Sequence, residues 1–357
     1  MTRIFFHGRL SNPYGVFDKI RRKIAYHLNP EEFQFLSFSN FKKPYDKSML
    51  GEADFTDDIT LIEKLAGIIK PTSPLRKITN PAIMLFYSRL IKTDIYQFHT
   101  TSEVLYFMEM LKSHNFQMKS ILTLYGMPFK EPYISIGRKL SRKADCVTCV
   151  SKTTAQEANN IYNIQPIVIY DGVDSDFFVP KERFNERPVI LYVGTLQKRK
   201  NPDYVLRMAK ELSECDFILH GRGEMYKELY IQARGIPNLF LDSSMLSFEQ
   251  LRDLYNTADI FLFPSTHEGF ANVVLEAAAC GLPILGLNRT SMPEFVTDGN
   301  EGFLAENYQE LKIRLEHLIE NEDLRKQMGR NARKRAEEFR WDRIAEQYAE
   351  VFRSLVN

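Results

Sequence analysis

The sequence predicts an α/β protein of two domains, each a parallel sheet wrapped on both faces by helices. Three observations carry that expectation. The 357 residues exceed one ordinary core and fit two domains of usual size. Short apolar runs rich in β-branched and aromatic residues recur along both halves, each followed by a polar loop and a helical pattern. The stretch Glu268-Gly-Phe-Ala-Asn-Val-Val-Leu-Glu276 sets two carboxylates around a strand-to-helix turn, with Glu276 about two turns into the helix.

Taken in order, Arg3-Ile-Phe-Phe-His7 reads as the first strand. A loop with Asn12-Pro-Tyr-Gly15 follows, then a helix with apolar positions at Val16, Ile20, Ile24 and Leu28. Asp94–Phe98, Ser120–Leu124 and Asp145–Val150 read as further strands, and Ile167–Tyr170 ends the half. Asp171-Gly-Val-Asp174 and Pro180–Pro188 read as the linker, which puts the domains at 1–180 and 181–339. In the second half, Val189–Val193 is a strand ending at Gly194, and Asn201-Pro202 opens a helix with proline near its first position. Phe217–Leu219 turns at Gly221-Arg-Gly223, and Leu239–Leu241 leads to a helix from Ser247 to Thr257. Asp259-Ile-Phe-Leu-Phe-Pro264 is a buried strand, the glutamate pair follows, and Pro283-Ile-Leu285 comes next. The tail from Arg340 to Leu355 is an amphipathic helix with Trp341, Ile344, Tyr348 and Phe352 on one face.

Composition narrows the functional classes. Hydrophobic content of 44% with 26% charged residues is that of a soluble globular protein. No run approaches the roughly 18 uncharged apolar residues of a spanning helix. The start, Met-Thr-Arg-Ile-Phe-Phe-His, lacks the apolar core of a signal peptide, so a cytoplasmic protein is expected. Four cysteines make no disulfide framework, and Cys146 and Cys149 lie on a strand, pointing to opposite faces as buried thiols. The net charge of +1 carries no nucleic-acid signature. Residues 1–180 hold 23 Lys and Arg against 18 Asp and Glu, whereas the rest hold 24 against 28. The basic half therefore faces an anionic partner or surface.

Local chemistry gives a first functional reading. Glu276 sits between Val273-Val-Leu275 and Ala277-Ala-Ala-Cys280, where a carboxylate loses solvation unless hydrogen bonds or a counter-charge compensate it. The end of a parallel strand facing a helix start is where α/β proteins bind phosphorylated ligands, because backbone N–H groups point outward there. A site for phosphate and hydroxyl groups together is expected. His99 falls at the C-terminal end of its strand, where it could contact a ligand or act as a base, or serve only as a structural hydrogen-bonder. Taken alone, Lys198-Arg-Lys200 reads as a solvated loop.

The second half resembles the catalytic domain of the retaining glycosyltransferases of family 4, the glycosyl transferases group 1. The likeness rests on Leu191-Tyr-Val-Gly194 with Lys200-Asn-Pro, Gly221-Arg-Gly223-Glu, Tyr255-Asn-Thr-Ala-Asp259 and Pro264-Ser-Thr-His-Glu-Gly-Phe270. It continues through Glu276-Ala-Ala-Ala-Cys-Gly-Leu-Pro283, Pro293-Glu294 and Asp298-Gly-Asn-Glu-Gly302. Glu268 and Glu276 match the family's E-x7-E motif. In the first half, Asp145 to Ser151 and Asp171-Gly-Val-Asp174 are similar to shorter family motifs. Thr195 stands where members often carry an arginine, and Tyr125-Gly126 where many carry a histidine. The resemblance implies the GT-B architecture: two Rossmann-like domains facing a deep cleft, with residues 340–357 crossing back onto the first.

It also implies transfer of a sugar from a nucleotide-diphosphate sugar with retention of anomeric configuration, without cofactor or divalent metal. Asp174-Ser-Asp176 has the spacing of a metal motif but falls in the linker. Lys200 is the first choice for the diphosphate cation, with Lys198 or Arg199 covering the missing arginine. Glu276 would take the ribose hydroxyls and Glu268 the hydroxyls of the donor sugar. Backbone groups of Gly269, Phe270, Ala271 and Asn272 would help hold sugar and phosphate, beside Gly194 and Thr195, with Gly15 approaching the diphosphate from the first domain. The catalytic candidates are thus Glu268, Lys200 and His99. A catalytically silent binding subunit, or an epimerase or phosphorylase-like enzyme on the same fold, is the alternative. Base and sugar choice would fall to the loops Asp242–Leu246 and Asn288–Met292. For the acceptor, a glycan or lipid-linked molecule is expected. Leu75-Arg-Lys77, Arg89 and Lys92 flank the apolar stretch Ile83–Tyr87, and Arg138-Lys139 with Arg142-Lys143 forms a second cluster. Together they suggest peripheral contact with an anionic membrane at its inner face, against the simpler reading of a buried helix with a solvated rim.

Overall fold

The computed structural model describes residues 1–6, 23–37, 94–99, 118–128 and 131–356. They fall into two units, Met1–Tyr170 with Trp341–Asn357, and Asp171–Arg340. In the first unit the strands are β1 (Thr2–Phe6), β2 (Phe33–Ser37), β3 (Ile95–His99), β4 (Lys119–Leu124), β5 (Cys146–Cys149) and β6 (Ile167–Val168). They pair in parallel in the order β2-β1-β3-β4-β5-β6. Aspartates at strand starts stitch neighbours together. Asp94 Oδ2 accepts the Arg3 N–H at 2.7 Å, and Asp145 Oδ2 accepts the Ser120 N–H at 2.9 Å and its hydroxyl at 2.6 Å.

Helices α1 (Tyr133–Lys143) and α2 (Lys152–Tyr162) share a core with Phe98, Leu122, Leu124 and Cys149. Cys146 packs into a different cluster, with Ile4, Phe33, Ile95 and the C-terminal helix Trp341–Val356. The two thiols of the C-x-x-C therefore serve separate layers, and neither is in a disulfide. Of the helix read from Val16 to Leu28, residues 23–27 are helical and the earlier part lies outside the described residues.

The second unit holds β7 (Val189–Val193), a 3-10 turn (Lys198–Lys200), α3 (Pro202–Glu211), β8 (Asp216–His220), α4 (Tyr226–Ala233) and β9 (Leu239–Asp242). There follow α5 (Phe248–Thr257), β10 (Ile260–Phe263), α6 (Asn272–Ala279), β11 (Ile284–Leu287), α7 (Met292–Phe295), β12 (Gly302–Ala305), α8 (Tyr308–Glu320) and α9 (Glu322–Ala336). The sheet order β12-β11-β10-β7-β8-β9 turns outward in both directions from β7 and β10, all in parallel. That reversal puts the loops after β7 and β10 side by side, as at the ligand crevice of doubly wound sheets.

The boundary read at 180/181 is corrected. Residues 171–180 belong to the second unit, because Val173 donates its N–H to the Phe339 carbonyl at 2.8 Å and Phe178 packs edge-on against Tyr255. The supposed linker is also fastened down: Asn185 Nδ2 donates to Asp259 at 2.9 Å, and Lys181 pairs with Asp253 at 2.6 Å.

Candidate active site

Glu268 is the hub. Leu262 and Phe263 bury the end of β10, so the chain leaves the sheet at Pro264 and carries Ser265 to Glu268 across its C-terminal edge. The Glu268 carboxylate is itself buried, 8% exposed, and one oxygen collects three donors. Oε1 lies 2.7 Å from Lys200 Nζ, 3.3 Å from Arg199 Nη1, and accepts the Ser265 hydroxyl at 2.6 Å. Two cations on one carboxylate leave a net positive site, the polarity that stabilises a developing phosphate leaving group.

The positions of Lys200 and Arg199 follow from backbone chemistry. Asn201 takes a left-handed conformation, φ 45°, which ends the 3-10 turn and starts α3, and its amide donates to the Pro264 carbonyl at 2.9 Å. The Thr266 N–H and hydroxyl both donate to the Arg199 carbonyl at 2.8 Å. The loops after β7 and β10 are thus sewn together, and Lys200 is held over the Phe263 ring, 5.1 Å from its centroid. Burial pulls the Lys200 ammonium below its ordinary value, and Glu268 opposes that shift.

Glu276 is buried at 6% exposure on α6, and the fully enclosed Tyr255 donates its hydroxyl to Glu276 Oε2 at 3.0 Å. Helix α6 starts without a side-chain cap, unlike α5, which carries a full capping box of Ser247 and Gln250. A helix start leaves N–H groups without an acceptor four residues back, and here the Val274 N–H turns to the Ala271 carbonyl at 2.9 Å. The Asn272 Oδ1 at that start is buried and has no hydrogen-bond partner among the described residues. Gly269, Phe270 and Ala271 form the turn into this end.

Gly194 donates its N–H to the His220 carbonyl at 3.1 Å, and the Thr195 carbonyl accepts the Tyr192 hydroxyl at 3.1 Å, while Thr195 itself is exposed on the same loop. The Gly221-Arg-Gly223 turn lies under this loop. A Cβ on Gly221 would sit 1.8 Å from the Gly194 carbonyl oxygen and one on Gly223 2.3 Å from that of Leu196, so both glycines are required by backbone approach. His220 bonds Asp242 at 3.0 Å, a strand-end contact of the sheet.

The structure thus brings together Lys200, Arg199, Glu268, Gly269, Phe270, Ala271, Asn272 and Glu276 around β10 and α6, with Gly194 and Thr195 adjoining. His99 is the last residue of β3, in register with Thr123, in the other unit. Gly15 and the cluster from Leu75 to Lys92 lie outside the described residues. Arg138 of the second basic cluster donates to the Ile161 carbonyl. Asp176 of the Asp-x-Asp pair is held by Arg340 at 2.8 Å through both oxygens.

Sequence reasoning gave no role to Tyr255, Ser265 or Thr290. Thr290 is β-branched yet left-handed, φ 45°, and its hydroxyl accepts the Glu268 N–H at 3.1 Å. A strained β-branched residue of this kind clusters at functional sites. Tyr255 and Ser265 each lay inside a quoted motif, and Thr290 in the loop Asn288–Met292 read for base and sugar choice, but nothing local singled out these side chains.

Comparison with known proteins bears on the family and the fold. The model for Glycosyl transferases group 1 matches residues 174–335, and that for Glycosyltransferase Family 4 matches residues 52–177. An uncharacterized glycosyltransferase of Methanocaldococcus jannaschii is 28% identical over 69% of this chain and 71% of its own length. A D-inositol 3-phosphate glycosyltransferase of Corynebacterium aurimucosum is 29% identical over 56% of this chain, which spans 55% of that relative. Among solved structures, sucrose-phosphate synthase from Thermosynechococcus elongatus superposes with a TM-score of 0.79 at 16% identity, covering 99% of both chains. Anabaena HepE in complex with UDP and glucose gives 0.75 at 18% identity, over 99% of this chain and 100% of that one. With two parallel Rossmann-like sheets, family motifs in order and both family models matched, the chain belongs to the glycosyl transferases group 1 and has the GT-B fold.

Proposed function

We propose that this chain is a retaining glycosyltransferase that moves a sugar from a nucleotide-diphosphate sugar to an acceptor hydroxyl without a divalent metal. The observation that carries the reading is the Lys200 and Arg199 pair on one oxygen of Glu268, beside the uncapped start of the helix that holds Glu276. Anabaena HepE, solved in complex with UDP-glucose, is a structural neighbour and supports a donor of this class.

In this reading Lys200 and Arg199 meet the diphosphate and supply the charge a metal would otherwise bring. Glu276 accepts from the ribose hydroxyls, Glu268 from hydroxyls of the donor sugar, and the buried Asn272 oxygen takes one further hydroxyl. As the glycosidic C–O bond breaks, its electron pair passes to the leaving phosphate, and that oxygen takes the proton from the attacking acceptor hydroxyl on the same face. The anomeric configuration is thereby kept. The acceptor is a lipid-linked or cell-envelope glycan, reached by a cytoplasmic protein that rests on the anionic inner face of a membrane through basic residues of the first unit.

Product NMR should give the donor's anomeric configuration, and activity should survive EDTA. An inverted product, or activity lost to chelation and restored by magnesium, rejects the mechanism. Lys200→Ala and Glu276→Ala should each weaken donor binding or turnover about tenfold or more, the scale of one lost charged hydrogen bond. Near-normal kinetics in both variants would sink the donor assignment.

A further inference from the structure

A charged cavity outside the donor site lies at the opposite edge of the same sheet. A cavity of about 580 Å³ opens where Asp259 and Pro283 precede β10 and β11, walled by residues 180–185 and one face of α9. Lys181, Arg183, Arg325, Lys326, Arg330 and Arg333 line it, against Asp259 and Glu322. This concentration of cations stands in the half of the chain where acidic residues are in excess.

The arginines are placed but only partly neutralised. Arg325 donates to the carbonyls of Leu318 and Ile319 at 2.7 and 2.8 Å, and Arg183 to the Cys280 carbonyl. Carbonyls satisfy geometry without supplying a counter-charge. Arg333 bonds the Phe178 and Ala279 carbonyls at 2.7 and 2.8 Å and shares its charge with Glu337. Lys181 and Lys326 have carboxylate partners, Asp253 and Glu322, each at 2.6 Å. Arg183 also keeps a buried Nε–H with no hydrogen-bond partner among the described residues. Burial pulls its guanidinium below the ordinary value, and Asp259 opposes that shift only in part. Fork-shaped guanidinium groups with spare donors match the oxygens of a phosphate.

We propose that this cavity is a second anion site, which binds a phosphate group through Arg183, Arg325 and Arg330. It is distinct from the donor site, whose residues sit at the C-terminal ends of β7 and β10. An occupant would also touch the arginines that bond the last carbonyls of α6, the helix that carries Glu276.

The test uses the full chain carrying Lys200→Ala, so that the donor site is disabled, with inorganic pyrophosphate and phosphatidic-acid vesicles as probes. Calorimetry should detect pyrophosphate binding that persists in Lys200→Ala. Adding Lys326→Gln with Arg330→Gln should weaken it about tenfold or more, as should Arg330→Glu alone, with unliganded melting temperatures unchanged. Co-sedimentation with phosphatidic-acid but not neutral vesicles, lost in the same variants, identifies a lipid headgroup as the source. Pyrophosphate binding without vesicle binding identifies a free phosphate compound. Anion binding abolished by Lys200→Ala alone assigns it to the donor site, which overturns this proposal and leaves the donor reading standing. Equal affinity in the Lys326 and Arg330 variants, or no binding of either probe, overturns it as well.

Discussion

Tyr255 and Glu276 illustrate how one residue prepares another. A carboxylate at 6% exposure in an alanine-rich helix is costly, and the Tyr255 hydroxyl meets part of that cost at 3.0 Å while fixing the direction of the carboxylate. Tyr255→Phe removes the donor and keeps the ring edge-on against Phe178 and Phe261. It should lower stability by about 1.5–3 kcal/mol, the scale of one lost hydrogen bond to a charged group. The donor KM should rise several-fold with a smaller change in kcat, and an unchanged KM would deny Tyr255 a positioning role. His220 supplies a pH-dependent counterpart. Burial holds its imidazole below the ordinary value despite Asp242, so the unfolded chain takes up the proton first as pH falls. Its contribution is intact above about pH 6.5 and is lost as pH falls below that towards the folded value. His220→Gln should therefore flatten the decline in melting temperature between pH 7.5 and pH 5; an identical pH profile would assign the acid sensitivity elsewhere.

Among the elements, α6 and α9 approach closely at the end of α6 away from the donor site. A Cβ on Gly329 would sit 2.3 Å from the Gly281 carbonyl, and backbone cannot yield as a flexible side chain does. Gly281 is left-handed at φ +73°, which ends α6 and turns the chain into β11. Gly329→Val should cost about 1–3 kcal/mol by overpacking and weaken donor binding through α6; unchanged melting would mean that the helices slide apart freely. The strands around β7 and β10 were legible because apolar runs punctuated by Gly, Pro and Asp leave one reading. Lys200, Glu268 and Glu276 were legible because motif order fixes them. Helices α8 and α9 were not separated, since their polar faces carry scattered arginines and glutamates in place of a clean stripe. Strand β2, Phe33–Ser37, was missed because its identity comes from pairing with β1. Thr290 lay in the loop read for base and sugar choice, but its bond to Glu268 was not legible for a related reason: the two are twenty-two residues apart in sequence and folding brings them within 3.1 Å.

For the whole molecule, the C-terminal helix is the decisive connection. It follows the second unit in sequence but belongs to the first, where Trp341, Ile344, Tyr348, Val351 and Phe352 are buried against Ile4, Phe33, Phe35 and Ile95. Arg353 adds a two-pronged ion pair to Glu32 at 2.6 and 2.8 Å. Five large apolar side chains at about 1.5–3 kcal/mol each amount to roughly the entire stability of an ordinary domain. The exposed Arg353 pair contributes little beside them. The second unit has its own core, closed by α8 and α9 through Leu311, Leu315, Leu318 and Met328. Ending the chain after Arg340 should therefore unfold the first unit and leave the second folded. Hydrogen exchange would then give fast exchange in β1, β3 and β4 and near-normal protection in β7, β10 and α6. A truncated protein that keeps protection in the first-unit strands would mean that this helix only covers a core already stable without it.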